Sequence, residues 1–428
     1  GFVRMTSTSA GPYCVFYGES AQEALAGKRG ETWDEGRFEA AGETVRLPSR
    51  AMRYVRVAGP VDEKSVEMDL EYNGLAWRAA FSCEDERLEA IYKVSAYTME
   101  LCTREFFLDG IKRDRWVWAG DALQSVMMNH YSYFDSATAR RTLAALRGRE
   151  PFNQHINTIL DYTFYWIIAV WEDYFFTGDS AFIQSMYAKM VSAMNYTRAF
   201  LSADGFVVGQ KRDWVFVDWA PMSKEGELCF EQVLMWKALT ILSQCAQLVG
   251  AEADRERYCA EADALRSGIF KVFWDEKKGT LAHQRLEGVV QGHTRYAPMF
   301  ALMYGMLDED KARAVIQNTL LAEDAPVITT PYMRFYEMEA LMRAGKAREV
   351  LREVKAYWGG MLDLGATSIW EQFDPTEEGD AHYAMYGRPF GRSLCHCWGA
   401  GPVYLFGRYL LGVSPTEPGY AAYEVRPE

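Results

Sequence analysis

Four glycines constrain this chain more than any other feature. Each closes one long amphipathic stretch and is followed at once by the start of another: Thr177-Gly178-Asp179, Val249-Gly250-Ala251, Tyr304-Gly305-Met306 and Ala344-Gly345-Lys346. Glycine takes the left-handed C′ position that ends a helix, and so short a turn sends the next helix back alongside the first. The spacing therefore predicts αα-hairpins. From Glu84 the helical period holds almost to the end, over about residues 85–103, 121–132, 135–148, 154–177, 180–200, 227–249, 252–275, 294–304, 308–320, 332–344, 346–359 and 392–411. If six hairpins close into a ring, the short turns lie on one face and the long connections 104–120, 201–226, 276–293, 321–331 and 360–391 on the other. Function then gathers on the long-connection face, because loops held by a rigid scaffold carry reactive side chains. An open solenoid of helix pairs is the alternative, and no repeat of fixed period supports it.

Before the helices, residues up to about 80 read as strands. Stretches 43–47, 53–57 and 66–72 alternate apolar and polar side chains between Gly, Pro and Asp, as an antiparallel sheet covered on one face does. This is the remnant or the whole of a β-sandwich. At 428 residues a sizeable core is assured, and 13 Trp with 25 Tyr make it rich in rings. A formal charge of -13, with no basic stripe against it, opposes nucleic-acid and anionic-membrane partners and favours a neutral or weakly charged small ligand. The longest apolar runs, such as Trp166 to Val170, are too short to cross a bilayer. The cysteines are scattered without zinc spacing, and Cys395-His396-Cys397, read as a helix start, places its members on different faces, so no metal is expected. The chain begins at Gly1 without an initiator Met and stops at Glu428 as Tyr423-Glu-Val-Arg begins to read as a strand. It reads as a piece of a longer protein, which leaves compartment and oligomeric state open.

The unusual residues lie in the long connections. Asp109-Gly-Ile-Lys-Arg113-Asp114-Arg-Trp116-Val-Trp118-Ala-Gly-Asp121 crowds carboxylates, cations and two indoles into one loop. Such charges gain nothing from burial without partners or a ligand, and an indole beside Asp and Arg suits a sugar ring. The plain alternative is a solvated loop with internal ion pairs. In Asp213-Trp214-Val-Phe-Val-Asp218-Trp219, acids and indoles recur, and Trp214, Phe216 and Asp218 share one side if the stretch is extended; a short strand with a buried ring face is the competing reading. In Thr367-Ser-Ile-Trp370-Glu371-Gln-Phe-Asp374 a carboxylate follows an indole, where it either caps a turn or carries a finely set pKa. His396 opens the last helix near the same loop, and a lone His is more often structural than catalytic.

The 109–121 segment resembles a signature of glycoside hydrolase family 78, the bacterial α-L-rhamnosidases: Asp, Arg-Asp/Glu, Arg, then Trp-x-Gly-Asp. Trp370-Glu371-x-x-Asp374 is similar to the family's second acidic motif, and Ser393-Leu-x-His396 before a Gly-Ala-rich stretch to a third. The resemblance covers about residues 81–428. It implies a mainly α chain, an (α/α)6 barrel at 81–415 preceded by part of a β-sandwich at 1–80, with 416–428 starting a further sandwich.

The resemblance also implies hydrolysis of terminal α-L-rhamnose with inversion, in which one acid protonates the departing oxygen and one carboxylate deprotonates a water across the ring, about 6.5–9.5 Å away. Asp114 takes the place of the general acid and Glu371 that of the general base. Asp109 and Asp121 match positions that accept from sugar hydroxyls as ionised groups, with Arg113 beside them to keep them charged. Trp118 matches a ring packed on the sugar, and Trp116, Trp214, Asp218, Trp219, Trp370 and His396 are further candidates for the pocket. The chain departs from members with Glu in a segment one residue longer. Asp114 is one methylene shorter, and Arg113 and Arg115 oppose its protonation unless Asp109 and Asp121 take up their charges. No cofactor is needed, the partner being a small-molecule or oligosaccharide substrate. A glycosidase for another sugar and a catalytically silent carbohydrate-binding protein are the alternatives.

Overall fold

A computed structural model describes residues 1–323 and 326–428. The expected connection 321–331 includes positions 324 and 325, which lie outside the described residues. The chain opens on strands β1 (Phe2–Thr6) and β2 (Gly11–Gly18), the short helix α1 (Ala21–Leu25), then β3 (Thr32–Phe38), β4 (Thr44–Arg46), β5 (Tyr54–Ala58) and β6 (Glu67–Asp69). They form two antiparallel sheets, ordered β4-β1-β6 and β3-β2-β5. Val3, Met5, Val15, Tyr17, Phe38 and Leu47, drawn from both sheets and the chain after β4, make an apolar cluster of their own. Ser20 caps α1 by accepting from the Glu23 N–H, so Glu19 and Glu23 flank that helix start, next to the loops of the barrel.

The remainder is built from α2 (Glu86–Cys102), α3 (Ala119–Asn129), α4 (Ser136–Arg147), α5 (Leu160–Thr177), α6 (Ser180–Arg198), α7 (Cys229–Val249), α8 (Glu252–Phe273), α9 (Tyr296–Met303), α10 (Glu309–Val315), α11 (Pro331–Arg343), α12 (Ala347–Asp363) and α13 (Pro402–Leu405). Helices α3, α5, α7, α9, α11 and α13 pack each against the next, and α13 returns to α3. This is a closed inner ring. Its members are buried almost all round, α3 along its whole length, whereas α4 and α12 are apolar on one face only, as outer helices must be. The last outer position is filled by α2, which lies against both α12 and α13, so the first helix of the barrel pairs with its last. The hairpin turns carry the expected glycines in the left-handed region: Gly178 (φ 73), Gly250 (φ 74), Gly305 (φ 71) and Gly345 (φ 70). The architecture is the expected (α/α)6 barrel, mainly α, preceded by part of a β-sandwich.

Two expected helices differ. Residues 154–159 do not begin α5, because Asn157 (φ 55) and Thr158 (φ 61) turn the chain first. The stretch 392–411 is not one helix. His396 is extended (φ -132, ψ 129), a 3-10 turn spans Cys397–Ala400, and α13 starts only at Pro402, which lacks an N–H to continue any earlier helix. His396 and its two cysteine neighbours therefore open a short 3-10 turn and no α-helix. Residues Val413–Pro415 and Tyr423–Val425 pair antiparallel at the end. Among the described residues, no helix is long and apolar enough to cross a membrane.

Candidate active site

At the long-connection end of the ring lies a cavity of about 320 Å³ lined by Asp109, Arg113, Asp114, Trp118, Asp121, Ile159, Tyr162, Trp214, Phe216, Trp219, Glu371, Tyr386, Arg388, His396 and Trp398. Its floor starts at α3. Trp118 is the residue before the helix, and Asn157 fixes that start by accepting from the Ala119 N–H and donating to the Val117 carbonyl, both at 3.1 Å. Asp121 thus falls in the first helical turn. Gly120 beside it is required by closeness, since a Cβ there would stand 2.3 Å from the Tyr332 hydroxyl.

Glu371 is held by four hydrogen bonds from three donors. Arg113 Nη2 reaches Oε1 at 2.8 Å and Oε2 at 2.7 Å, the Tyr386 hydroxyl reaches Oε1 at 3.0 Å, and the Ser393 N–H reaches Oε2 at 2.9 Å. Its backbone is fixed too: the Glu371 N–H donates to the Ser393 carbonyl and the Trp398 indole N–H to the Glu371 carbonyl. Asp114 is the opposite case. It stands exposed at the mouth, and among the described residues its carboxyl makes no hydrogen bond or ion pair.

The deeper acids are governed by burial. Asp109 accepts from the Trp116 N–H at 3.0 Å, yet burial, with the charges of Asp114 and Glu371 added, pushes its carboxyl up to about 7. Asp121 is raised well above the ordinary carboxyl range by burial first and the Asp109 charge second, against the pull of its helix start. His396, 3.6 Å from it, is held well below the usual imidazole range by burial and by Arg113. Arg113 therefore does not keep Asp109 and Asp121 charged, as the sequence led one to expect; Glu371 has taken it, and Arg115 turns away to donate to the Ser49 carbonyl at 3.1 Å. What remains is a set of buried polar atoms that, among the described residues, have no hydrogen-bond partner and belong to lining residues: Asp121 Oδ1, His396 Nδ1, Arg113 Nη1 and Trp219 Nε1. Buried groups of this kind need a ligand or water to satisfy them.

Of the expected residues, Asp109, Arg113, Asp114, Trp118, Asp121, Trp214, Trp219, Glu371 and His396 meet at this cavity. Three lie elsewhere. Trp116 is 59% exposed and does not line it. Trp370 points away from its neighbour Glu371, into a second cavity beside Tyr383 and against His382. Asp218 is buried and fully engaged, accepting from the hydroxyls of Thr330 at 2.6 Å and Tyr296 at 2.7 Å. The reason is Val217, whose φ of 53 breaks the alternation that would have put Asp218 beside Trp214 and Phe216. Asp161 pins that kink by accepting from the N–H groups of Phe216 and Val217, each at 3.1 Å. Sequence reasoning missed Tyr162, Tyr386, Arg388 and Trp398; only Trp398, next to the His396 motif, carried a signal. Among the described residues, no group of three or more His, Cys, Asp or Glu is placed to hold a metal ion.

The family model for the bacterial alpha-L-rhamnosidase six-hairpin glycosidase domain matches residues 77–410. The chain belongs to that family. Among solved structures, a glycoside hydrolase family 78 rhamnosidase of Bacillus sp. GL1 superposes with TM-score 0.88 at 22% identity, over 100% of this chain and 47% of that one. A Klebsiella oxytoca rhamnosidase with rhamnose bound gives 0.82 at 21% identity, over 95% of this chain and 85% of that one. A Streptomyces avermitilis α-L-rhamnosidase complexed with L-rhamnose gives 0.77 at 15% identity, over 100% and 43%. At these identities the likeness is one of fold, and this member of the rhamnosidase family spans about half the length of the Bacillus enzyme. A local match, 27% identical over 103 residues, to human mitochondrial enoyl-CoA delta isomerase 1 covers only 24% of the chain. In this member of the family, the cavity occupies the long-connection face of the six-hairpin domain.

Proposed function

We propose that the protein is an inverting glycoside hydrolase that releases terminal α-L-rhamnose, with Asp114 as general acid and Glu371 as general base. One observation carries the reading. Asp114 and Glu371, 257 positions apart by their numbers, line a single cavity at the small end of the roughly 300–1,000 Å³ range typical of ligand sites. One sugar unit suits that space better than an extended chain, which fits removal of a terminal residue. Asp121, His396, Arg113 and Trp219 offer acceptors and donors to ring hydroxyls, while Trp118, Tyr162, Phe216 and Trp398 supply apolar faces for the C6 methyl of a deoxy sugar. In this reading Asp114, which is exposed, gives its proton to an oxygen leaving toward solvent, and Glu371, which is buried, orients a water on the inner side. The test is turnover of an aryl α-L-rhamnoside with the released anomer followed by proton NMR. Initial release of the β-anomer is expected, and initial release of the α-anomer would remove the inverting assignment.

Binding without turnover is the second reading, favoured by one fact: among the described residues, four hydrogen bonds from three donors already fill the acceptor positions of Glu371 that a water would need. Calorimetry that shows L-rhamnose binding, with no hydrolysis across a panel of aryl glycosides, would select it.

A further inference from the structure

The strand-rich N-terminal segment reaches the site through a buried cluster that the proposed chemistry does not use. The Lys112 side chain is 4% exposed, and its ammonium lies 3.1 Å from Glu23 Oε2 and 3.4 Å from Glu19 Oε2 and donates to the carbonyls of Phe390 at 2.7 Å and Arg392 at 3.0 Å. Lys112 immediately precedes Arg113 and Asp114. On the other side, Glu19 Oε2 accepts from the Leu394 N–H, and the adjoining Ser393 N–H is the one that donates to Glu371. Glu23 is itself fixed by accepting from the N–H groups of Glu19 at 3.0 Å and Glu31 at 3.3 Å. So two carboxylates at one helix start touch both halves of the site, the segment bearing the proposed acid and the segment that seats the proposed base.

We propose that Glu19 and Glu23 are positioning residues that, through Lys112 and the Ser393-Leu394 backbone, set the separation between Asp114 and Glu371. A buried lysine between two acids resists displacement, because moving either segment would strand charge in a water-poor interior. Two segments far apart in sequence are thereby locked to a third that contributes no group to the cavity. Small misplacement of catalytic groups is costly, since proximity and orientation supply much of the rate. The inference rests on the hydrolytic reading of the site, and one of its two measurements stands without it.

In the first measurement, Glu19→Ala is expected to lower kcat on an aryl α-L-rhamnoside by about tenfold or more while KM moves by less than about threefold, the pattern of lost transition-state geometry. Glu19→Gln keeps an oxygen for the Leu394 N–H and is expected to recover most of that loss. Unchanged kcat in a folded Glu19→Ala, or a parallel fall of kcat, L-rhamnose affinity and melting temperature with no recovery in Glu19→Gln, would overturn the proposal. The second measurement is amide hydrogen exchange in the full chain, where Glu19→Ala is expected to speed exchange in the peptide holding Ser393 and Leu394 and leave the inner helices unchanged. No difference there overturns the positioning role whatever the substrate. A wild-type protein inactive on every glycoside would instead refute the hydrolytic reading, while the exchange result still decides this one.

Discussion

Arg113 and Glu371, 258 residues apart, form a forked ion pair in which one guanidinium nitrogen serves both carboxylate oxygens, at 2.8 and 2.7 Å. Glu371→Gln keeps the size and the backbone contacts of the residue but removes its basicity and half of that pair. Turnover should fall by about 10²–10⁴-fold, the usual reach of general-base catalysis. Steady-state rates with a thermal melt check this, and unchanged turnover takes Glu371 out of the mechanism.

Tyr386 is the donor around Glu371 that a substitution can remove with least disturbance. Its ring also lies 4.7 Å from the Arg113 guanidinium and 5.3 Å from Trp219. Tyr386→Phe keeps the ring and opens one acceptor position on Glu371, so kcat should hold or rise. Tyr386→Ala loses the wall and the cation–π contact, which is worth about 0.5–2 kcal/mol, and KM should rise by several-fold. Parallel kinetics on the two variants separate hydroxyl from ring.

Asp109 makes stability depend on pH. In the unfolded chain its carboxyl titrates near 3.8, and in the fold near 7. Between those values the native state keeps a proton that the unfolded state has lost, so stability should fall as pH rises through that window and level off above it. Asp121, raised by the same cause, acts in the same direction. Asp109→Asn still offers an oxygen to the Trp116 N–H and should flatten the slope. Urea unfolding of both proteins at about pH 5 and about pH 7.5 is the measurement, and equal slopes would remove Asp109 as the cause.

Asp218 should matter for folding and not for sugar binding. Thr330→Val takes away its 2.6 Å donor without changing the cavity lining. A loss of about 1–3 kcal/mol is expected, as for other buried acceptors left short of a partner. L-rhamnose affinity should stay within about twofold, since Thr330 does not line the cavity. Denaturant melts and calorimetry read the two quantities separately.

The ring was legible because each glycine turn announces itself locally, through a C′ residue and a polar helix start, before any tertiary contact exists. The site's loops were legible by composition: indoles among carboxylates are rarely placed at random. Direction was not. Whether Trp370 or Glu371 faces the cavity depends on how residues 369–371 lie beside 393–396, a pairing between distant segments seen in the Glu371-to-Ser393 and His396-to-Ile369 backbone hydrogen bonds. The kink at Val217 is likewise fixed from outside, by Asp161 on α5. Tyr386 belongs to a loop with no local periodicity, so only the folded chain shows that its hydroxyl ends on Glu371. Arg113 misled for the same reason, since its nearest acids by number are not its partners in space.

Because α2 finds its place against α12 and α13, the circle is fastened by the two extremities of its own helical run. A nascent chain emerging from the ribosome can stack hairpin upon hairpin, but α2 must wait with an apolar flank open to water until residues near 405 have been made. Synthesis arrested before that point should yield a sticky, chaperone-dependent arc, and the clasp between first and last helix is where a split-protein reporter of assembly would register completion.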